Sequence, residues 1–355
     1  MSAAVDALAP VLGRSPRILV IRLRRFGDLL LITPTLRAIR TTYPEARLEV
    51  LASAGFHQVL VGNPHLDALL VLEPGGAGWR RMVRRCYRGG YDAVLDLQSS
   101  SRSLFFALAT RAPVRVGWQK RGVRDWAYNR LVPGWDAPLY VARNNLRLAA
   151  SFGVSAPADL RLELAVSATD RARAAALLDA AGVSPERPLV ALSVVANMPH
   201  KRWPAERYAA LADRLVQTHG AQLILTSGAG EVDQVRAVVT QMQQRPALWN
   251  YGRTTIQELG ALYERCDLWI GNDGGPKHVA SAVGCPTVVI IKDGDERFWT
   301  DAADVMQMAV HRPPAAGAPD LSAVTVDDVL AAAAAHLGRR VPRQRDGGRS
   351  GLAVP

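Results

Sequence analysis

The chain has 355 residues, 49% hydrophobic and 21% charged, which fits a globular protein of two domains and argues against wholesale disorder. No uncharged apolar stretch reaches the roughly 18 residues of a membrane-spanning helix, and the opening MSAAVDALAPVLGRSPR lacks the basic start and apolar core of a secretory signal. The net charge is +11, and the three cysteines (Cys86, Cys266, Cys285) lie too far apart for a disulfide framework or zinc cluster, so a reducing cytosol is the expected compartment.

In chain order, Arg17–Leu23 (RILVIRL) reads as a buried strand. Gly27 and Asp28 follow, then a helical stretch through Arg40 that ends at Tyr43-Pro44. Arg47–Leu51, Ala68–Leu72 and Tyr91–Leu97 read as further strands. The pattern restarts with a strand at Pro188–Val195 and a helix opened by Pro204 and closed by Gly220. It continues with a strand at Ala221–Thr226, a helix near Glu231–Gln243, a strand at Asp267–Gly271, a helix near Pro276–Val283 and a strand at Pro286–Ile291. Strands alternating with helices predict parallel sheets covered on both faces. The fold class is therefore α/β, with two tandem domains, 1–165 and 166–337, and a basic tail, 338–355, expected to be disordered.

The charge is uneven. Residues 17–130 carry 19 Lys/Arg against 8 Asp/Glu, whereas residues 131–337 carry 18 against 22. A basic first half favours an anionic partner, although a solvated arginine-rich surface explains it equally well. Trp79, Arg80, Arg81, Arg84, Arg85 and Arg88 form a basic amphipathic run suited to an acidic membrane or to phosphates on a substrate. No RNA-recognition or zinc-finger motif accompanies the charge, so specific nucleic-acid binding is not expected.

Four segments bear chemistry. In Arg22–Asp28 (RLRRFGD) a strand gives way to a helix, where Asp28 serves either as a base taking a proton from an attacking hydroxyl or as a helix cap. In His200–Pro204 (HKRWP), Lys201 and Arg202 precede a helix: a phosphate site, or a solvated basic turn anchored by Trp203. In Gly271–His278 (GNDGGPKH), paired glycines at a helix start let backbone approach a diphosphate, unless the loop is a plain connection. In Ser227–Glu231 (SGAGE), Glu231 binds a ribose hydroxyl or merely sits well in a first helical turn. There is no HExxH or GxSxG, and no metal site is expected.

Together these segments resemble glycosyltransferase family 9, the ADP-heptose:lipopolysaccharide heptosyltransferase family. The resemblance rests on ILVIRLRRFGDLLLITPTLRAIR (Ile18–Arg40), Asp96-Leu97-Gln98, Lys201-Arg202-Trp203-Pro204, and CDLWIGNDGGPKHVASAVGCPT (Cys266–Thr287), in that order. It implies a GT-B architecture: two facing Rossmann-like domains with an inter-domain cleft, the acceptor mainly on the first and the nucleotide-sugar donor mainly on the second. It implies inverting, metal-independent transfer of heptose from ADP-heptose, with no cofactor beyond the ADP-linked co-substrate. The implied acceptor is an anionic glycan, a lipopolysaccharide core, another lipid-linked species or a small natural product. The implied location is cytoplasmic, peripheral to the inner face of the membrane. Asp28 matches the base, and Lys201 the cation that meets the departing diphosphate and is expected to be exposed. Asn197, Glu231, Asp273, Gly274, Gly275, Pro276, Lys277 and His278 match the donor side; Arg24, Arg25, Gln98 and Arg102 are the acceptor-side candidates. The chain departs from the family at Gly274 (often Thr or Ser), Val194–Asn197 (often Pro-Gly-Ala-Ser), Tyr140 (often His) and Lys292-Asp293-Gly294 (often Phe-Gly). A non-catalytic nucleotide-sugar-binding protein and a GT-B-type nucleotide-sugar epimerase are the alternatives.

Overall fold

Branched and aliphatic side chains without polar interruption favour strands buried on both faces. In the computed structural model, which describes residues 12–134, 136–196, 198–228, 230–314, 316 and 321–338, Ile18 to Ile21 are all fully buried. The chain divides between Ala165 and Val166 into two compact units.

The first unit contains β1 (Arg17–Ile21), α1 (Phe26–Leu30), α2 (Thr33–Thr42), β2 (Arg47–Ser53), β3 (Ala68–Leu72) and α3 (Gly75–Tyr87). β4 (Ala93–Asp96), α4 (Ser101–Ala109), β5 (Val114–Trp118), β6 (Arg130–Val132) and α5 (Val141–Ala149) complete it. Its six strands are parallel, in the order β3-β2-β1-β4-β5-β6. Leu19 and Ile21 join Met82 of α3 and Phe106 of α4 in one core. Ile18 and Val20 face the other way, and are buried as completely.

The helical stretch predicted after Asp28 and through Arg40 is two helices, the first of which already starts at Phe26. Pro34 has no N–H to donate to the Leu30 carbonyl, and the Thr33 hydroxyl donates to that carbonyl instead, at 2.7 Å. The helix restarts with Pro34 in its first turn, where the missing N–H costs nothing.

The second unit runs α6 (Ala168–Ala180), β7 (Leu189–Ser193), α7 (Ala205–His219), β8 (Gln222–Leu225), α8 (Val232–Val239) and α9 (Ile256–Glu264). It ends with β9 (Leu268–Asn272), α10 (Gly275–Ala282), β10 (Thr287–Ile290), α11 (Glu296–Trp299), β11 (Gln307–Val310) and α12 (Val326–Leu337). The parallel order is β11-β10-β9-β7-β8. Val190, Leu192, Leu223, Ile270 and Val288 pack with Trp203, Tyr208 and Leu211. Pro204 caps α7 and Gly220 ends it in a left-handed turn. Among the described residues no helix is long and apolar enough to cross a membrane.

In an open parallel sheet, ligands bind beyond the carboxyl ends of the strands where the strand order reverses. The first sheet reverses between β1 and β4, the second between β7 and β9. From the tail predicted at 338–355, residues 339–355 lie outside the described part of the chain.

Candidate active site

Asp28 and Gln98 leave the carboxyl ends of β1 and β4, at the reversal of the first sheet. Asp28 lies in the first turn of α1 and pairs with Arg22 at 3.0 Å, the side chains being 14% and 15% exposed. It does not cap the helix: Arg25 holds the cap position, and no side chain bonds there. Arg22 also donates to the Leu97 carbonyl at 2.8 Å, and the Gln98 side-chain oxygen accepts from Leu23 N at 2.8 Å. The turns after β1 and β4 are thus laced together.

Both turns carry backbone that ordinary residues avoid. Arg25 has φ 63°, Ser99 has φ 44°, and Arg121, after β5, has φ 54°. Such conformations cost on the order of 1–3 kcal/mol each and tend to concentrate at functional sites. Arg24 and Arg25 are exposed at the bend. Arg102 is exposed too, and stacks over Trp79 at 5.7 Å. Trp79 also packs 4.4 Å from Phe106, and Arg85 binds buried Glu49. The basic run of α3 therefore presents only Arg80, Arg81, Arg84 and Arg88 as exposed arginines.

Lys201 and Asp273 follow β7 and β9, at the reversal of the second sheet, and join two motifs about seventy residues apart. Lys201 Nζ lies 2.7 Å from Asp273 Oδ2. Trp203 N donates to Asn272 Oδ1 at 3.0 Å, and Asn272 Nδ2 donates to the Val194 carbonyl at 2.9 Å. The expectation of an exposed Lys201 is corrected: the side chain is 29% exposed, because the largely buried Asp273 carboxylate draws the ammonium in. Lys201, Asp273, Lys292 and Asp295 line a small cavity.

After Asp273, Gly274 is extended and Gly275 and Pro276 open α10. Lys277 and His278 turn inward. Lys277 is fully buried, its ammonium donates to the Trp299 carbonyl, and burial pulls its pKa down to about 8. His278 is 3% exposed, with Nδ1 unpartnered; burial first, then the neighbouring Lys277 and Lys201, holds the imidazole neutral. Glu231 bonds its own loop, accepting from Gly228 N at 2.6 Å. Asn197 lies outside the described residues.

Asp293, Glu296 and His311 bring candidate metal-binding atoms within 4.8 Å of one another. His311 Nδ1 and Asp293 Oδ1 share a 2.6 Å hydrogen bond, which accounts for that pair without an ion.

Sequence reasoning missed Arg22 as the partner of Asp28, and the organising residues Asp96, Lys120, Tyr128 and Asn272. One signal was available: an acid ending an apolar strand (AVLD) or an amide ending another (LWIGN) is a polar group forced to find partners.

Lipopolysaccharide heptosyltransferase 3 of Escherichia coli K12 is 24% identical over 343 residues, covering 90% of this chain and 98% of that protein. The structure of a family 9 glycosyl transferase from Veillonella parvula matches with a TM-score of 0.83 at 22% identity, covering 93% and 99% of the two chains. That of E. coli ADP-heptose LPS heptosyltransferase II matches with a TM-score of 0.75 at 24% identity, covering 90% and 98%. These likenesses give the fold as GT-B, each unit built on a parallel sheet. The family model described as glycosyltransferase family 9 (heptosyltransferase) matches residues 79–323, and the chain belongs to that family of glycosyltransferases.

Proposed function

We propose that the protein transfers heptose from ADP-heptose to an anionic lipopolysaccharide-core acceptor, with inversion at the anomeric carbon and without a metal. The observation that carries the reading is the placing of one motif pair at each reversal of strand order: Arg22–Asp28 with Gln98 in the first unit, Lys201 with Asp273 in the second. The first unit is then the acceptor domain, 1–165, and the second the donor domain, 166–337.

In this reading the acceptor hydroxyl gives its proton to the Asp28 carboxylate as its oxygen attacks the anomeric carbon. The bond from that carbon to the diphosphate oxygen breaks, and ADP leaves with the electron pair. Attack from the face opposite the leaving group inverts the centre. Arg22 aims the Asp28 carboxylate, and the exposed Arg24, Arg25 and Arg102 meet acceptor anions. Lys201, held by Asp273, and the backbone N–H groups of Gly274 and Gly275 heading α10 offset the charge on the departing diphosphate. Because protein cations and dipoles fill that role, no divalent ion is required. Buried Lys277 and His278 shape the loop from beneath. The arginines of α3 fit a peripheral place on an acidic cytoplasmic membrane face.

The test is calorimetry against ADP-heptose, ADP-glucose, UDP-glucose and ADP in EDTA, followed by transfer to a heptose-deficient, deacylated lipopolysaccharide core. Tight ADP-heptose binding without metal and product of inverted configuration are expected. Absence of ADP-sugar binding, or binding only with added metal, would refute the reading. Asp28→Asn is expected to lower turnover by about 10²–10⁴ while leaving donor affinity unchanged; near-native turnover would remove Asp28 from the mechanism.

A further inference from the structure

Asp96 ends β4 and is fully buried. Its Oδ1 accepts from Gln98 N at 3.0 Å and Ser99 N at 2.8 Å, and its Oδ2 accepts from the Tyr128 hydroxyl at 2.6 Å. An ionisable group in such a place is expensive unless its lone pairs are met, and apolar residues would fill the space at less cost. The carboxylate therefore has a task other than packing.

That task is visible on the far side of the turn it templates. Ser99 is held at φ 44°. Its hydroxyl donates to the Asp96 carbonyl at 3.0 Å and accepts from Trp118 N at 2.9 Å, which fixes the turn to β5. With the turn fixed, the Leu97 carbonyl meets Arg22, and Gln98 Oε1 meets Leu23 N. Arg22 in turn holds Asp28 at 3.0 Å. The Ser99 carbonyl accepts from Lys120 Nζ at 3.1 Å. Tyr128 reaches Asp96 because Gly117 has no side chain: a Cβ there would stand 2.7 Å from the tyrosine ring.

We propose that Asp96 and Tyr128 are a buried positioning pair for the transfer reaction, setting the Leu97–Ser99 turn so that Arg22 holds the Asp28 carboxylate at its working angle. The pair touches no substrate. The inference rests on the reading of Asp28 as the base, and it adds what aims that base. Misplacing a reacting group by about 1 Å can cost on the order of 10²-fold in rate, so a pair two contacts removed has leverage on turnover.

The test is steady-state transfer from ADP-heptose to the deacylated core by the full chain, with Asp28→Asn as reference. Asp96→Asn and Tyr128→Phe are expected to lower kcat by about 10- to 100-fold. ADP affinity by calorimetry and the KM for ADP-heptose should stay within about twofold of native, because the donor residues lie in the other unit. Arg22→Gln is expected to cost much less in the Asp96→Asn chain than in the native one, since both act along one line of contacts. A purely structural pair would instead lower the melting temperature while leaving kcat native below it, with additive Arg22 effects. If Asp96→Asn does not fold, Tyr128→Phe alone decides. A dead Asp28→Asn beside a native-like Tyr128→Phe overturns the positioning pair only. An active Asp28→Asn overturns the base assignment and the pair together.

Discussion

Lys277 shows how far a residue's fate can depart from its apparent chemistry. Beside a glycine-rich loop it reads as a phosphate ligand, yet its ammonium lies in the interior on the Trp299 carbonyl. Burial lowers its pKa from 10.5 to about 8, against the opposing pull of Asp273, Asp304 and Asp301. The folded chain thus binds fewer protons than the unfolded chain between those values, so stability from this site rises with pH across that window. Below about pH 8 the cost of burying the charge is felt in full. Lys277→Met should therefore compare best with the native protein near neutral pH and lose ground towards pH 10. Urea midpoints for both proteins across that range check this; a constant difference would show that Lys277 does not titrate in the folded chain. At this scale the sequence was partly legible. Asp28 and Lys201 sit at strand ends, which spacing located, but whether a side chain turns outward or into the core depends on what packs above it. Lys277 and Lys201 are both lysines beside a glycine-rich turn or helix start, and only tertiary packing separates them.

At the scale of elements, apolar runs located the strands well because buried parallel strands carry a nearly continuous signal. The short β5, β6 and β11 and the helices α4, α5, α6, α9, α11 and α12 were passed over, their sequences being brief or alanine-rich. The one helical stretch expected after Asp28 and through Arg40 ignored Pro34, and the break there is what sets Asp28 in a short helix of its own. The pairing of β7 with β9 depends on one glycine. A Cβ at Gly271 would stand 2.5 Å from the Ser193 carbonyl and 2.8 Å from the Trp269 ring, so strand spacing and the approach of Asn272 to Val194 both require its absence. Gly271→Ala is expected to destabilise the protein by about 1–3 kcal/mol, as overpacking does, and to weaken ADP binding by displacing Asp273 relative to Lys201. Denaturant unfolding and calorimetry check the two effects; an unchanged ADP affinity would separate strand spacing from the donor loop.

For the whole molecule, the division of charge and the division of chemistry coincide. The basic half is the one that carries Asp28 and the exposed Arg24, Arg25, Arg121 and Arg124, and the mildly acidic half carries Lys201 and the loop before α10. The charge asymmetry was legible from the sequence; the side on which each motif lies relative to the strand order was not, because strand order is a tertiary fact. The two halves should respond differently to salt. Surface arginines attract an anionic acceptor over distances that salt shortens, from a Debye length of about 10 Å at 0.1 M to about 3 Å at 1 M. In the proposed reaction the donor diphosphate is instead met at contact distance by one part-buried lysine and by backbone dipoles, which salt screens less. Raising the salt across that range is therefore expected to increase the KM for the deacylated core severalfold, with a smaller change in the KM for ADP-heptose. Replacing Arg24 and Arg25 together by Gln should flatten the acceptor's salt dependence and leave the donor's as it was. Initial rates at varied acceptor and donor concentrations measure both, and equal salt dependence for the two substrates would mean that the basic half does not steer the acceptor.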